Sequence, residues 1–286
     1  MVTYFQAIIL GLLQGITELF PISSLGHSVI LPKIFGWNIN QSDPFFLTFL
    51  VATHLATAVV LFLFFWKDWL AILKGMGRSL AKRTIEKNDY HARLGWLLVV
   101  GTIPAGIVGL LLQDKLQILF SSAKIAAIFL IGNGVLLYGA ELLRRRAPTD
   151  RAITKADVRI AKTSWMQSLL VGVCQSIALL PGFSRSGSTM AGGLLIGLSH
   201  EDAARFSFLL ATPIIGGAAV FKLLDFLAAP NYAAIGPAVV GALCAAFGAY
   251  FSVKFLLKYF ETNKLTPFAV YCFVAGIVYS VILFVR

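Results

Sequence analysis

Apolar residues dominate this chain in long stretches, and the places where they stop define its elements. Six stretches are long enough to cross roughly 30 Å of hydrocarbon as helices. They lie at about 44–66, 94–112, 120–143, 202–224, 234–260 and 266–285. They lack the short alternating segments of an outer-membrane barrel. Two further regions, 1–35 and 164–198, begin as apolar helix patterns but are broken at their centres by proline, glycine, hydroxyls and ionisable groups. Each is too polar in the middle for a simple span. The pattern predicts an all-α polytopic membrane protein with about six full transmembrane helices plus two re-entrant helical hairpins.

Composition agrees and charge sets the topology. The chain is 58% hydrophobic and 13% charged, well above the roughly 45–50% apolar content of a soluble domain. Basic residues cluster in two segments. Lys67, Lys74, Arg78, Lys82, Arg83, Lys87 and Arg93 lie in 67–93, and Arg144, Arg145, Arg146, Arg151, Lys155, Arg159 and Lys162 lie in 144–162. Cytoplasmic loops carry such an excess, and the two spans between these segments form a hairpin that returns to its starting side. Counting outwards, the first interrupted region dips in from the outside and the second from the cytoplasm. Both termini then lie outside, and the two tips meet near the bilayer midplane. Non-helical backbone is tolerated at that depth only where protein buries it or water reaches it. The net charge of +11 is therefore topology signal with some attraction to membrane lipids, and no nucleic-acid partner is expected. No Lys or Arg precedes Lys33, so the first segment is expected to belong to the mature fold and not to a secretory signal. Cys174, Cys244 and Cys272 form no CxxC pair, which argues against a thiolate metal site.

The two interrupted regions resemble each other. Gln14 to His27 is followed by Asp43-Pro44-Phe45-Phe46-Leu47-Thr48, and Gln175 to Thr189 by Asp202-Ala203-Ala204-Arg205-Phe206-Ser207, at an offset of about 160 residues. With opposite orientations this is an inverted repeat, an architecture that builds its site from broken helices at the repeat interface. The chain reads as one membrane domain, 1–286. Repeat 1 covers about 1–112 with its hairpin at 1–35, and repeat 2 covers about 164–286 with its hairpin at 164–198.

The chemistry sits in the two interruptions. Ionisable groups at membrane depth mark a functional site by default. Pro21 and Pro181 each end an incoming half-helix, and a second half-helix starts near Ser24 and near Gly187. Serines can cap such starts. Two helix N-termini would then converge, offering unpaired N–H groups and positive dipole ends. Arg185 adds a planar cation suited to phosphate oxygens. Glu18 lies one helical turn after Gln14, beside Ser23, Ser24 and His27. A carboxylate beside an anion site implies a bridging metal ion or a proton acceptor. Ser24 and His27 could pair as nucleophile and base on one helix turn. His27 could equally be a packing residue, and His54 could line the cavity or bond a neighbouring helix.

Q-G-I-T-E-L-F-P-I-S-S-L-G-H from Gln14 to His27 and P-G-F-S-R-S-G-S-T from Pro181 to Thr189 resemble the two signature motifs of the bacterial undecaprenyl-pyrophosphate phosphatase family, also called bacitracin-resistance proteins. Length and motif spacing extend the resemblance over essentially the whole chain. It implies removal of the terminal phosphate from undecaprenyl pyrophosphate, which recycles the lipid carrier for the cell wall. It also implies a divalent cation, Mg2+ or Ca2+, a polyprenyl pyrophosphate partner and a possible homodimer. The expected location is the bacterial inner membrane, with the site opening outwards. By motif position, Glu18, Ser24, His27 and Arg185 would be catalytic, and Ser23, Ser184, Arg185, Ser186 and Thr189 would hold pyrophosphate. Glu18 and Gln14 would hold the metal, Gln14 taking a place that is Glu or Gln in the family. An amide oxygen there should hold metal more weakly than a carboxylate would. Attack by Ser24, by His27 or by an activated water remains open at this level. A secondary transporter or flippase of an anion or lipid phosphate is the rival reading.

Overall fold

The computed structural model describes residues 2–40, 43–112, 116, 119, 122–144, 156–228 and 232–285, and every regular element in them is helical. In chain order the elements are α1 (Tyr4–Thr17), α2 (Ser24–Ile34), α3 (Pro44–Phe64), α4 (Trp66–Lys82), α5 (Tyr90–Leu111) and α6 (Ala123–Leu143). They continue with α7 (Ala156–Ala161), α8 (Trp165–Ile177), α9 (Arg185–Leu195), α10 (His200–Ala228), α11 (Tyr232–Tyr259) and α12 (Thr266–Val285). Six of them, α3, α5, α6, α10, α11 and α12, are long and apolar enough to cross a membrane, matching the six stretches read from the sequence. Arg145, Arg146, Arg151 and Lys155 of the second basic segment lie outside the described residues.

The interrupted regions form two pairs of short helices, α1–α2 and α8–α9, compatible with re-entrant hairpins. Each opens on a serine or threonine cap. Thr3 and Gln6 close a capping box on α1, and Ser164 and Gln167 repeat it on α8. Reciprocal capping of this kind satisfies two orphan N–H groups at once. The hairpins are exchanged between halves. α1 packs on α11, α8 packs on α5, and α3 packs against α10 between them. The exchange is compatible with an inverted repeat.

Small residues make the α1–α11 seam. A Cβ placed on Gly15 would run into the backbone of Ala245 and Ala249, whereas one on Gly77 in α4 would meet open space. Close backbone approach through small residues is how membrane helices gain contact without a hydrophobic drive. Gly15→Val is expected to cost about 1–3 kcal/mol through overpacking. Its thermal midpoint in detergent should fall, while Gly77→Ala should leave the midpoint unchanged or slightly raised.

One difference from the sequence reading concerns the first basic segment. Most of 67–93 is helical. α4 buries Trp69, Ile72, Gly75 and Ser79 and leaves Trp66, Leu70, Leu73 and Leu80 exposed. Glu201, four residues before Arg205 on its own helix, pairs with Arg159 of α7 at 3.0 Å, and Arg159 also grips Asp202 at 2.7 Å. Arg205 turns to Asp157 at 2.6 Å and Asp68 at 3.0 Å, tying α10 to α7 and α4. Acids on a preceding element outcompete the i,i+4 partner because they meet the guanidinium fork at better geometry.

Candidate active site

The prolines do not end the incoming helices directly. α1 stops at Thr17 and α8 at Ile177, and Pro21 and Pro181 lie within the turns that follow. The outgoing helices are capped as their serines suggest. Ser23 accepts from Gly26 N at 3.2 Å, and Ser184 accepts from Gly187 N at 3.1 Å. Ser23 adopts φ 71°, a left-handed conformation that a non-glycine residue holds only when its surroundings enforce it. His27 supplies part of that enforcement. Its Nδ1 sits 2.7 Å from Ser23 O, and its Nε2 sits 2.7 Å from the Tyr271 hydroxyl on α12.

The two tips touch. Gly182 has φ 104°, and a Cβ there would collide with the backbone of α6, so no side chain fits. Ser184 and Ser186 both donate to Phe20 O, at 3.4 and 3.1 Å. Contact between the tips brings opposite charges together. Arg185 Nη2 meets Glu18 Oε1 at 3.0 Å, and Arg185 Nη1 donates to Ser207 O at 3.2 Å. The other carboxylate oxygen, Oε2, accepts from Ser24 Oγ at 2.5 Å and Gln14 Nε2 at 3.1 Å, with His54 Nε2 at 3.5 Å. Glu18 is only 7% exposed. Burial this deep is offset by a ring of donors and a paired guanidinium.

A cavity of about 360 Å³ opens on this cluster. Glu18, Ser23, Ser24, Ser184, Arg185 and His54 form its polar end, and Leu25, Leu50, Val51, Phe183, Ile214, Ile215 and Ala219 are among its apolar walls. Five of the nine candidate residues therefore border one space. Gln14, His27, Ser186 and Thr189 lie behind it. Thr189 Oγ1 bonds Arg185 O and Ser207 Oγ, and so steadies the arginine's helix without facing the cavity. Ser24 points to Glu18, not to His27.

His54 is the functional candidate that motif reading left undecided. Its Nδ1 is anchored 2.8 Å from Leu50 O, one turn back on α3, which turns Nε2 towards Glu18 and the cavity. Its signal was a lone histidine within an apolar span.

Among the described residues, no three His, Cys, Asp or Glu side chains cluster to hold a metal. Gln14 Oε1 is buried without a partner beside Glu18. One carboxylate and one spare amide oxygen are too few for a closed cage but suit a hard cation that also takes substrate oxygens.

The family model described as bacitracin resistance protein BacA matches residues 7–278. The chain is 47% identical to a protein named undecaprenyl-diphosphatase from Mycolicibacterium paratuberculosis, over 96% of this chain and 95% of the relative. It is 42% identical to undecaprenyl-diphosphatase 2 of Frankia alni over 96% of both chains. It is 44% identical to undecaprenyl-diphosphatase 2 of Burkholderia thailandensis over 94% of this chain and 93% of the relative.

Proposed function

The chain belongs to the bacitracin resistance protein BacA family, and on that premise we propose that it hydrolyses undecaprenyl diphosphate to undecaprenyl phosphate and inorganic phosphate. The observation that carries the reading is Glu18, held between Ser24 and Arg185 at the polar end of an otherwise apolar cavity. A diphosphate fits the end built from two helix N-termini and a guanidinium, and an isoprenyl chain fits the walls. The site sits in a multi-pass membrane protein. We place it in the bacterial inner membrane, opening outwards.

In the reaction so read, Ser24 Oγ attacks the terminal phosphorus as its proton passes to Glu18 Oε2. The bond from that phosphorus to the bridging oxygen breaks, and the bridging oxygen leaves with the lipid monophosphate. Arg185 and the N–H groups of the two tips stabilise the charge on the equatorial oxygens. Water then attacks the phosphoserine and gives a proton to His54 Nε2. Glu18 returns its proton to Ser24 Oγ, inorganic phosphate departs, and the proton on His54 passes to solvent. A bound Mg2+ or Ca2+ would be held by Glu18 and Gln14 and would supply further charge stabilisation. Ser23 is held at the mouth of the turn by His27, which on this reading positions Ser24 without touching substrate. Ser186 and Thr189 support the second tip from behind.

Purified protein given a C15 or C55 isoprenyl diphosphate and magnesium should release inorganic phosphate. Release of none, with uptake of the substrate by protein-loaded liposomes, would favour the carrier. That rival is not supported by a nucleophile, a base and a cation meeting at one point, since transport breaks no bond. His54→Gln should lower kcat by about 100-fold, within the range of a lost general base. The slow step should move to phosphoserine breakdown, visible as a pre-steady-state burst of lipid monophosphate. Unchanged kcat with no burst would remove His54 from the reaction.

A further inference from the structure

Asn133 stands in the middle of α6, is fully buried, and is bonded to both tips at once. Its Nδ2 donates to Pro21 O at 2.9 Å and lies 3.2 Å from Cys272 Sγ on α12. Its Oδ1 accepts from Ser184 N–H at 3.0 Å. The partners fix which end of the amide is which, because a carbonyl needs a donor and an N–H needs an acceptor. An amide in the middle of a membrane-spanning helix is costly unless its groups are met, and here both ends are met by main chain. Main-chain partners do not depend on side-chain rotamers, so the bonds report on where the backbone of each tip lies.

Pro21 lies between Glu18 and Ser24 in the chain, and Ser184 is the neighbour of Arg185. We propose that Asn133 is a positioning residue that sets the spacing between the Glu18–Ser24 tip and the Arg185 tip by gripping one backbone group of each. It does not border the cavity and touches no reacting atom. The direct bonds from Ser184 and Ser186 to Phe20 O join the tips to each other. Asn133 ties both to α6, a helix outside either hairpin. The activity readout rests on the hydrolase reading, whereas the grip itself does not.

The test compares Asn133→Leu, close in size but apolar, with Asn133→Asp. The carboxyl of the second variant keeps an oxygen that can accept from Ser184 N–H, and its O–H can donate to Pro21 O. Asn133→Leu should lower kcat by about 10- to 100-fold, the scale of a small misplacement in a catalytic centre, with KM changed far less. Amide hydrogens in the peptide 181–187 should exchange at least about tenfold faster than in the wild type, as expected when the bond holding Ser184 N–H is lost. Asn133→Asp should restore most of both. Wild-type kcat and wild-type protection in Asn133→Leu would overturn the proposal, as would an Asn133→Asp variant no better than Asn133→Leu. If Asn133→Leu and Asn133→Ala both fail to fold, Asn133 is a folding residue and the proposal falls. Wild-type protein that releases no phosphate, combined with loosening of 181–187 in Asn133→Leu, would sink the hydrolase reading and leave the positioning role standing.

Discussion

Ser24→Ala is expected to reduce phosphate release by about 10⁴-fold or more, the scale on which enzymes respond to loss of a nucleophile. The expectation rests on the short bond from Ser24 Oγ to Glu18 Oε2 and on the place of both at the cavity's polar end. Glu18 Oε2 already accepts from the serine's hydroxyl, and no other hydroxyl contacts its carboxylate among the bonds described. Two successive displacements at one phosphorus give net retention of configuration, so a chiral thiophosphate substrate should yield retained product. A loss of only about tenfold, together with inversion, would transfer the attack to a water activated by Glu18, since general-base assistance can survive loss of a hydroxyl neighbour.

Arg185→Ala should produce the second large loss, about 10³-fold in kcat, the upper scale for removing one donor to a developing oxyanion. It should also weaken the fold, because Glu18 would keep a buried charge without its partner, a change typically worth about 3–5 kcal/mol. Arg185→Lys separates the two effects. The charge remains, but the fork that reaches both Glu18 Oε1 and Ser207 O does not. Lysine should recover much of the thermal midpoint and little of the rate. A Glu18→Gln, Arg185→Gln pair should be more stable than either single change and equally inactive, which a double-mutant cycle would measure as coupling. A lysine variant with wild-type kcat would show that charge alone suffices and that the fork is unnecessary.

The six spans and the two interruptions between short helices were legible because sustained hydropathy and its interruption are strong signals over twenty or so residues. That Glu18, Ser24 and Arg185 belong together was legible for the same reason, each being polar or charged in an apolar stretch. The role of His27 was not. Spacing places it one turn from Ser24, and nothing local reveals that Ser23 turns left-handed there or that Tyr271, 244 residues away, takes the other ring nitrogen. His54 and Asn133 were visible only as single polar residues in apolar spans, and the tip residues they meet, Glu18, Pro21 and Ser184, lie on other elements. α4 escaped notice because its apolar positions alternate with lysines on a stretch too mixed for a hydropathy window. It forms a helix by laying Trp69 and Ile72 against the bundle, a tertiary effect that composition does not carry.

The seat of the first hairpin has a consequence for biosynthesis. α1 closes on α11 through Gly11 and Gly15, and Tyr271 and Cys272 of α12 complete the support beneath the tips. Ribosomes deliver these surfaces after both signature motifs. A nascent chain that carries both motifs but lacks α11 and α12 has α5 and α6 to receive the second hairpin, but no seat for α1 and no Tyr271 or Cys272 to meet the first tip. Neither half, expressed alone, holds all the residues of the candidate site.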